Sequence, residues 1–310
     1  MTMTFHKEYP ADQAAMQAMR AELRGLPTME FGPEVRPIFD ELMAKTPAAN
    51  GVSYEASTVG GVPGWWCRPA DAVGGSAVLY LHGGAYVIGS AAAYRNFVGQ
   101  IAARVRAAIF IADYRLAPEH PFPSAVNDAT AVYRGLAANG FSRLALAGDS
   151  AGGGLALSLL LPATKESKNG SVPMPVAAAV MSPWTDLVLC GDSIGARADA
   201  DPLLTREALK KAVELYLGQY DRHDPLASPL YGDLAELPPL LFHVGEDEIL
   251  LDDSRRFTER VGAVGGFAQL HIWQGMIHVF PTNLELLQAA GEALDDTGEF
   301  LRSFLEKLGK

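Results

Sequence analysis

The stretch Arg143-Leu144-Ala145-Leu146-Ala147-Gly148-Asp149-Ser150-Ala151-Gly152-Gly153-Gly154 decides the fold. Residues 143–147 suit a strand buried on both faces, and the run 150–161 suits an apolar helix. Between them, Gly148-Asp149-Ser150-Ala151-Gly152 fits G-x-S-x-G in the strand–turn–helix setting that sets a serine on a strained turn. Glycines there let strand and helix pass closely. The helix N-terminus adds unpaired N–H groups and a positive dipole end beside a developing oxyanion. The plainer reading of the same residues is a serine N-cap between packing glycines.

Outward from this turn, strand patterns at 52–59, 64–68, 77–82, 107–112, 176–181, 240–244 and 269–273 alternate with helical patterns. The helices fall at 91–105, 124–138, 205–217, 253–264 and 284–308. This alternation predicts the α/β class, a mostly parallel doubly wound sheet with helices on both faces. Residues 1–45 read as helical, with Met16, Met19, Leu23 and Leu26 at helical spacing as packing residues. The Asp- and Pro-containing stretch 185–230 breaks the rhythm, as an ornament or a lid over a site. Without a repeat or low-complexity linker, residues 1–310 count as one domain.

Composition narrows the function classes. Of 310 residues, 49% are hydrophobic and 20% charged, as in a globular chain. Lys+Arg 25 against Asp+Glu 36 leaves a net charge of −11, and no basic run offers a face to nucleic acid or anionic membrane. Cys67 and Cys190 cannot build a disulfide framework and read as reduced thiols. Residues 1–10 are polar, without the apolar centre of a signal peptide, and the aliphatic run 155–161 falls far short of the ~20 residues of a membrane span. A cytoplasmic protein without membrane insertion is expected, with the sequon Asn169-Gly170-Ser171 unused.

Leu81-His82-Gly83-Gly84-Ala85-Tyr86 closes the strand at 77–82, where a second oxyanion donor belongs. Gly83, Gly84 and Ala151 are assigned as N–H donors, and His82 as a brace for the loop. An ordinary Gly-Gly turn would look similar. Four histidines follow Ser150. His223 lies in the inserted stretch, and His243 and His271 lie inside strands. His278 follows the last strand by a short loop, at the carboxyl edge where sites of open α/β sheets gather. The acid should end the strand at 240–244, in Gly245-Glu246-Asp247-Glu248. Asp247 is chosen, with Glu246 and Glu248 as rivals. Asp252 and Asp253 read as helix N-terminal residues, and Asp201 of Asp201-Pro202-Leu203-Leu204 is set aside as part of the inserted stretch.

Together these motifs resemble the hormone-sensitive-lipase-like carboxylesterases (family IV) of the α/β-hydrolase superfamily. The resemblance runs over about residues 50–305 and includes Asp113-Tyr114-Arg115-Leu116-Ala117-Pro118-Glu119-His120-Pro121-Phe122-Pro123, Ser182-Pro183-Trp184-Thr185-Asp186 and Gly275-Met276-Ile277-His278. Ala85 stands where the family usually has a third glycine. The resemblance implies a catalytic core at about 46–184 and 226–310 under a cap from about 1–45 and 185–225. It implies Glu119 as a buried support near the oxyanion loop, and pairing of two copies through an edge strand at 269–273. It also implies hydrolysis of short-to-medium acyl esters by Ser150, His278 and Asp247 through an acyl-enzyme, without metal or organic cofactor. Tyr86 and Trp184 are candidates for the pocket wall, with core packing as the alternative.

Lactone, carbamate or amide hydrolysis and acyl transfer would use the same triad. Epoxide hydrolases and dehalogenases of this fold need a carboxylate where Ser150 stands. Non-catalytic receptors that resemble this branch lack the histidine present here as His278.

Overall fold

The computed structural model describes residues 1–25 and 30–306. Five strands with every residue buried form the centre: β4 (Ser76–Leu81), β5 (Ala108–Ala112), β6 (Arg143–Asp149), β7 (Ala178–Met181) and β8 (Leu240–Gly245), apart from half-buried Arg143. Their side chains alternate between two apolar layers, as a pleated sheet covered on both faces requires. Val78, Tyr80, Ile109 and Ala145 pack with Phe97 and Leu301, on the face of α3 (Ala91–Val105) and α9 (Gln288–Leu305). Leu79, Phe110 and Leu146 pack with Val132, Leu155 and Phe257, on the face of α4 (Ser124–Ala138), α5 (Ser150–Lys168) and α8 (Leu251–Ala263).

The full sheet has nine strands in the order β1-β9-β8-β7-β6-β4-β5-β3-β2. β2 (Val52–Val59) and β3 (Val62–Pro69) form an antiparallel hairpin, and β3 runs antiparallel to β5; the remaining pairs are parallel. From β4 the chain moves to β5 on one side and returns to β6 on the other, so the sheet reverses direction between β4 and β6. Ligand sites of open α/β sheets lie at such a reversal, beyond the carboxyl ends of the strands.

Two readings need correction. Residues 1–45 are not helical throughout: Thr2–His6 forms β1, parallel to β9 (Ala268–Trp273), ahead of α1 (Pro10–Arg24) and α2 (Arg36–Met43). β1 is five residues long and mostly exposed, so its alternating pattern shows no apolar run. It covers β9, and the sheet edge expected at 269–273 lies at β1 instead. Second, α5 continues past Leu161 through Pro162 to Lys168, because buried Ala163 and Thr164 hold the last turns where proline alone would end a helix. Met16 is buried against Trp273 and Phe280, with Met19 and Leu23 beside it; Leu26 lies outside the described residues. The inserted stretch contains α6 (Ser193–Ala196) and α7 (Arg206–Leu217). Among the described residues, no helix is long and apolar enough to cross a membrane.

α9 begins at Leu287, which has no side-chain cap of its own. Buried Asp12 of α1 supplies one from a distance, accepting from Gln288 N at 2.8 Å and Ala289 N at 2.9 Å. A cap of this kind contributes about 1–2 kcal/mol. Asp12→Ala should lower unfolding stability by that amount in urea titration, with the midpoint shifted and the slope unchanged.

Candidate active site

The turn after β6 can form only because small residues meet there. A Cβ on Gly152 would sit 2.1 Å from the carbonyl oxygen of Leu81 and 2.3 Å from that of His82. Ser150 itself has φ +52°, the left-handed region that is strained for a side-chain-bearing residue. Its Oγ lies 2.9 Å from His278 Nε2. His278 Nδ1 donates at 3.1 Å to Glu248 Oε1, which leaves Nε2 free to accept the serine proton. Burial alone would lower the histidine pKa, but the bonded Glu248 carboxylate, with Asp201 and Asp149 further off, outweighs that together, and the net direction is upward.

The acid in contact with His278 is therefore Glu248, not Asp247. Glu248 is fully buried, and its other oxygen accepts from Ser182 Oγ at 2.7 Å and Gly245 N at 3.0 Å. Ser182 Oγ also accepts from Val279 N at 3.0 Å, so one hydroxyl joins the acid to the histidine loop. Asp247 faces the other way. Its carboxylate meets Arg20 of α1 at 2.8 Å and lies 3.9 Å from Arg197. Arg20 also donates to Ala200 O at 2.6 Å and Gly275 O at 3.0 Å, joining the inserted stretch to both catalytic loops. Glu246 pairs loosely with Arg197 at 3.4 Å.

Asp201 is not the acid bonded to His278, yet it braces the loop that carries Glu248. Its Oδ2 accepts from Ile249 N at 2.9 Å, directly after Glu248, and its Oδ1 from Leu203 N and Leu204 N at 2.9 Å. Asp253 is fully buried and accepts from Thr185 N and Asp186 N; burial and neighbouring Asp186 push its carboxyl up to about 8. His223 is exposed, and His243 and His271 stand in β8 and β9, away from Ser150.

The oxyanion loop also departs from expectation. The Gly83 N–H is already spent on Asp149 Oδ1 at 3.0 Å. Asp149 is fully buried and also accepts from Tyr80 and Tyr94 hydroxyls at 2.8 and 3.0 Å, while burial raises its pKa. The sequence reading gave Asp149 no role, although it occupies the variable position of the elbow. Gly84 and Ala85, by contrast, border the cavity beside Ser150, and among the described residues their N–H groups have no acceptor. Ala85 has φ +53°, not an ordinary value, and Val87 N and Ile88 N both close back on Gly84 O at 2.9 Å. Ala151 opens α5, where N–H groups lack a helical acceptor. His82 is buried, stacked on Tyr114 at 4.4 Å, with Nδ1 2.8 Å from Gly83 O.

Glu119 is not buried. Its side chain is 49% exposed and grips Arg36, which donates to Val87 O and Ala117 O just beyond the oxyanion loop. Arg36 holds the carboxyl down, at about 2. Tyr86 is core: it stacks on Tyr216 at 3.9 Å and does not line the cavity. Trp184 does line it, together with Met19, Phe31, Phe39 and Leu209. The cavity measures about 490 Å³, within the range of small-molecule sites, and reaches Ser150 and His278. A surface hollow of about 530 Å³ beside Arg134 and Glu166 holds none of these groups.

A serine, histidine and carboxylate bonded in series at the reversal point of an α/β sheet define a hydrolase of the serine type. The profile of a family described as having the alpha/beta hydrolase fold matches residues 78–282. The chain is 40% identical over 248 residues to an acetyl-hydrolase of Streptomyces hygroscopicus, covering 79% of this chain and 81% of that one. A crystal structure of an esterase from the bacterial hormone-sensitive lipase (HSL) family superposes with TM-score 0.87 at 38% identity, covering 96% of this chain and 99% of that one. The esterase EstE5, in a crystal soaked with p-nitrophenyl butyrate, superposes with TM-score 0.84 at 39% identity over 96% and 99% of the two chains. The chain belongs to the hormone-sensitive-lipase-like family IV of the α/β-hydrolase superfamily, and it is a carboxylesterase.

The two neighbouring carboxylates give a sharp comparison. Glu248→Gln should lower kcat by about 10³–10⁴ while the protein stays folded. Asp247→Asn should leave kcat within about tenfold, since it removes a contact to α1 and none to His278. Steady-state kinetics on both variants, with circular dichroism as the folding control, decides between them.

Proposed function

We propose that Ser150, His278 and Glu248 are the catalytic triad and that the substrates are small esters with short-to-medium acyl chains. The observation that carries this reading is His278 bonded to Ser150 at 2.9 Å and to Glu248 at 3.1 Å on one wall of an apolar cavity. His278 takes the Ser150 proton as Oγ attacks the ester carbonyl, and Glu248 holds the imidazole in the tautomer that can do so. The N–H groups of Gly84, Ala85 and Ala151 receive the oxyanion. His278 then protonates the leaving alcohol, and water repeats the sequence on the acyl-enzyme. None of these steps calls on a metal or organic cofactor.

α1, α2 and the inserted stretch act as the cap: Met19, Phe39, Leu203 and Leu209 from these segments all border the cavity. Such a wall suits the apolar acyl or alcohol side of an ester. The soak of EstE5 with p-nitrophenyl butyrate and the acetyl-hydrolase relative both favour short acyl groups. A cytoplasmic setting completes the reading and suits the two free thiols, buried Cys67 and exposed Cys190.

Turnover of p-nitrophenyl esters from acetate to laurate should peak at short chains, and Ser150→Ala should abolish about 10⁶ of it. Activity retained in that variant would overturn the assignment. A pH profile gives a second check. The base must be neutral, and its pKa is raised from that of an ordinary imidazole, so kcat/KM should fall as pH drops through an apparent pKa shifted upward from the ordinary histidine range. Glu248→Gln should move this acid limb downward, because the carboxylate that favours the protonated ring is gone.

A further inference from the structure

Away from the catalytic serine, three histidines stand side by side on one face of the sheet. His243 on β8 is the register partner of His271 on β9. His6 on β1 lies one step along on the same face, opposite Trp273. Asp296 of α9 reaches the row from above. His271 Nδ1 is 3.1 Å from His6 Nε2 and 3.3 Å from Asp296 Oδ2, and the three atoms all lie within 4.8 Å of one another.

We propose that His6 Nε2, His271 Nδ1 and Asp296 Oδ2 bind one divalent transition-metal ion of the Zn²⁺ or Co²⁺ class, as a structural clamp joining β1, β9 and α9. A tetrahedral ion with bonds of ~2.0–2.1 Å sets its ligand atoms about 3.3 Å apart. The two direct spacings here, 3.1 and 3.3 Å, match that edge. Without a cation, His271 Nδ1 either shares one proton between Asp296 and His6 Nε2, or accepts from His6 Nε2 and faces the carboxylate with a lone pair. A bound ion satisfies all three at once.

The ligands are already oriented. The His6 ring lies flat on Trp273 at 3.7 Å and 6°. His243 meets His271 edge-on at 5.0 Å, and its own Nδ1 accepts from Trp273 Nε1 at 3.1 Å. His243 therefore belongs to the supporting layer and not to the ligand set. All three ligands are half-buried, so an ion can enter from solvent and keep a water as its fourth ligand.

The test uses the whole protein, free of an affinity tag and stripped with a chelator. Co²⁺ titration should give visible absorption bands of tetrahedral intensity at one equivalent, and Zn²⁺ should displace it. Zn²⁺ at a hundredfold excess over its Kd should raise Tm by about 4 °C. His6→Gln and Asp296→Asn should each weaken binding by about 100-fold or more and remove the Tm shift, with esterase turnover unchanged. No binding of either ion up to about 1 mM, or equal binding in the two variants, overturns the proposal.

Discussion

Gly148 and Gly152 bring the start of α5 against the end of β4 so closely that a methyl on either would enter backbone of the other segment. The remainder of the site follows from this contact. It places the Ser150 turn beside the loop at 82–86, across the reversal point of the sheet. It also brings Asp149 within reach of the Gly83 N–H and of two tyrosine hydroxyls from β4 and α3. A buried carboxyl with three donors is a costly group to desolvate and a hard one to move. Asp149 thereby pins the glycine loop at Gly83, and the N–H groups of Gly84 and Ala85 stay without an acceptor among the described residues.

The histidine and acid arrive by a separate route. β8 and β9 deliver them on loops that lack regular structure, and buried side chains take over the work of holding them. Ser182 bonds both Glu248 and the Val279 backbone, while Asp201 fixes Ile249 from the inserted stretch. Glu248 and His278 thus rest on contacts from the segment after β7 and from the inserted stretch.

How much of this was legible in the sequence depended on whether the signal was local. The elbow was, because strand, glycines, serine and helix are contiguous and the steric demand leaves few alternatives. The sheet and its main helices were legible for the same reason, through their apolar periodicity. The acid was not: Glu246, Asp247 and Glu248 all follow the strand, and only the turn of the loop decides which carboxylate meets His278. Of the assigned oxyanion donors only Gly83 is otherwise engaged, and nothing local reveals that Asp149 consumes its N–H. Glu119 lies in a distinctive run, but the partner it grips, Arg36, is far away in sequence. β1 was missed because five mostly exposed residues are a strand only by virtue of the neighbour they pair with.

Arg20 makes three bonds to three segments: the roof at Ala200, the acid loop at Asp247 and the histidine loop at Gly275. One guanidinium is thus the joint between the wall that admits substrate and the loops that act on it. Any swing of α1 away from the cavity withdraws support from both catalytic loops in the same movement. The placement of α1 over the cavity and the placement of the loops that carry Glu248 and His278 are thus fixed through the same side chain.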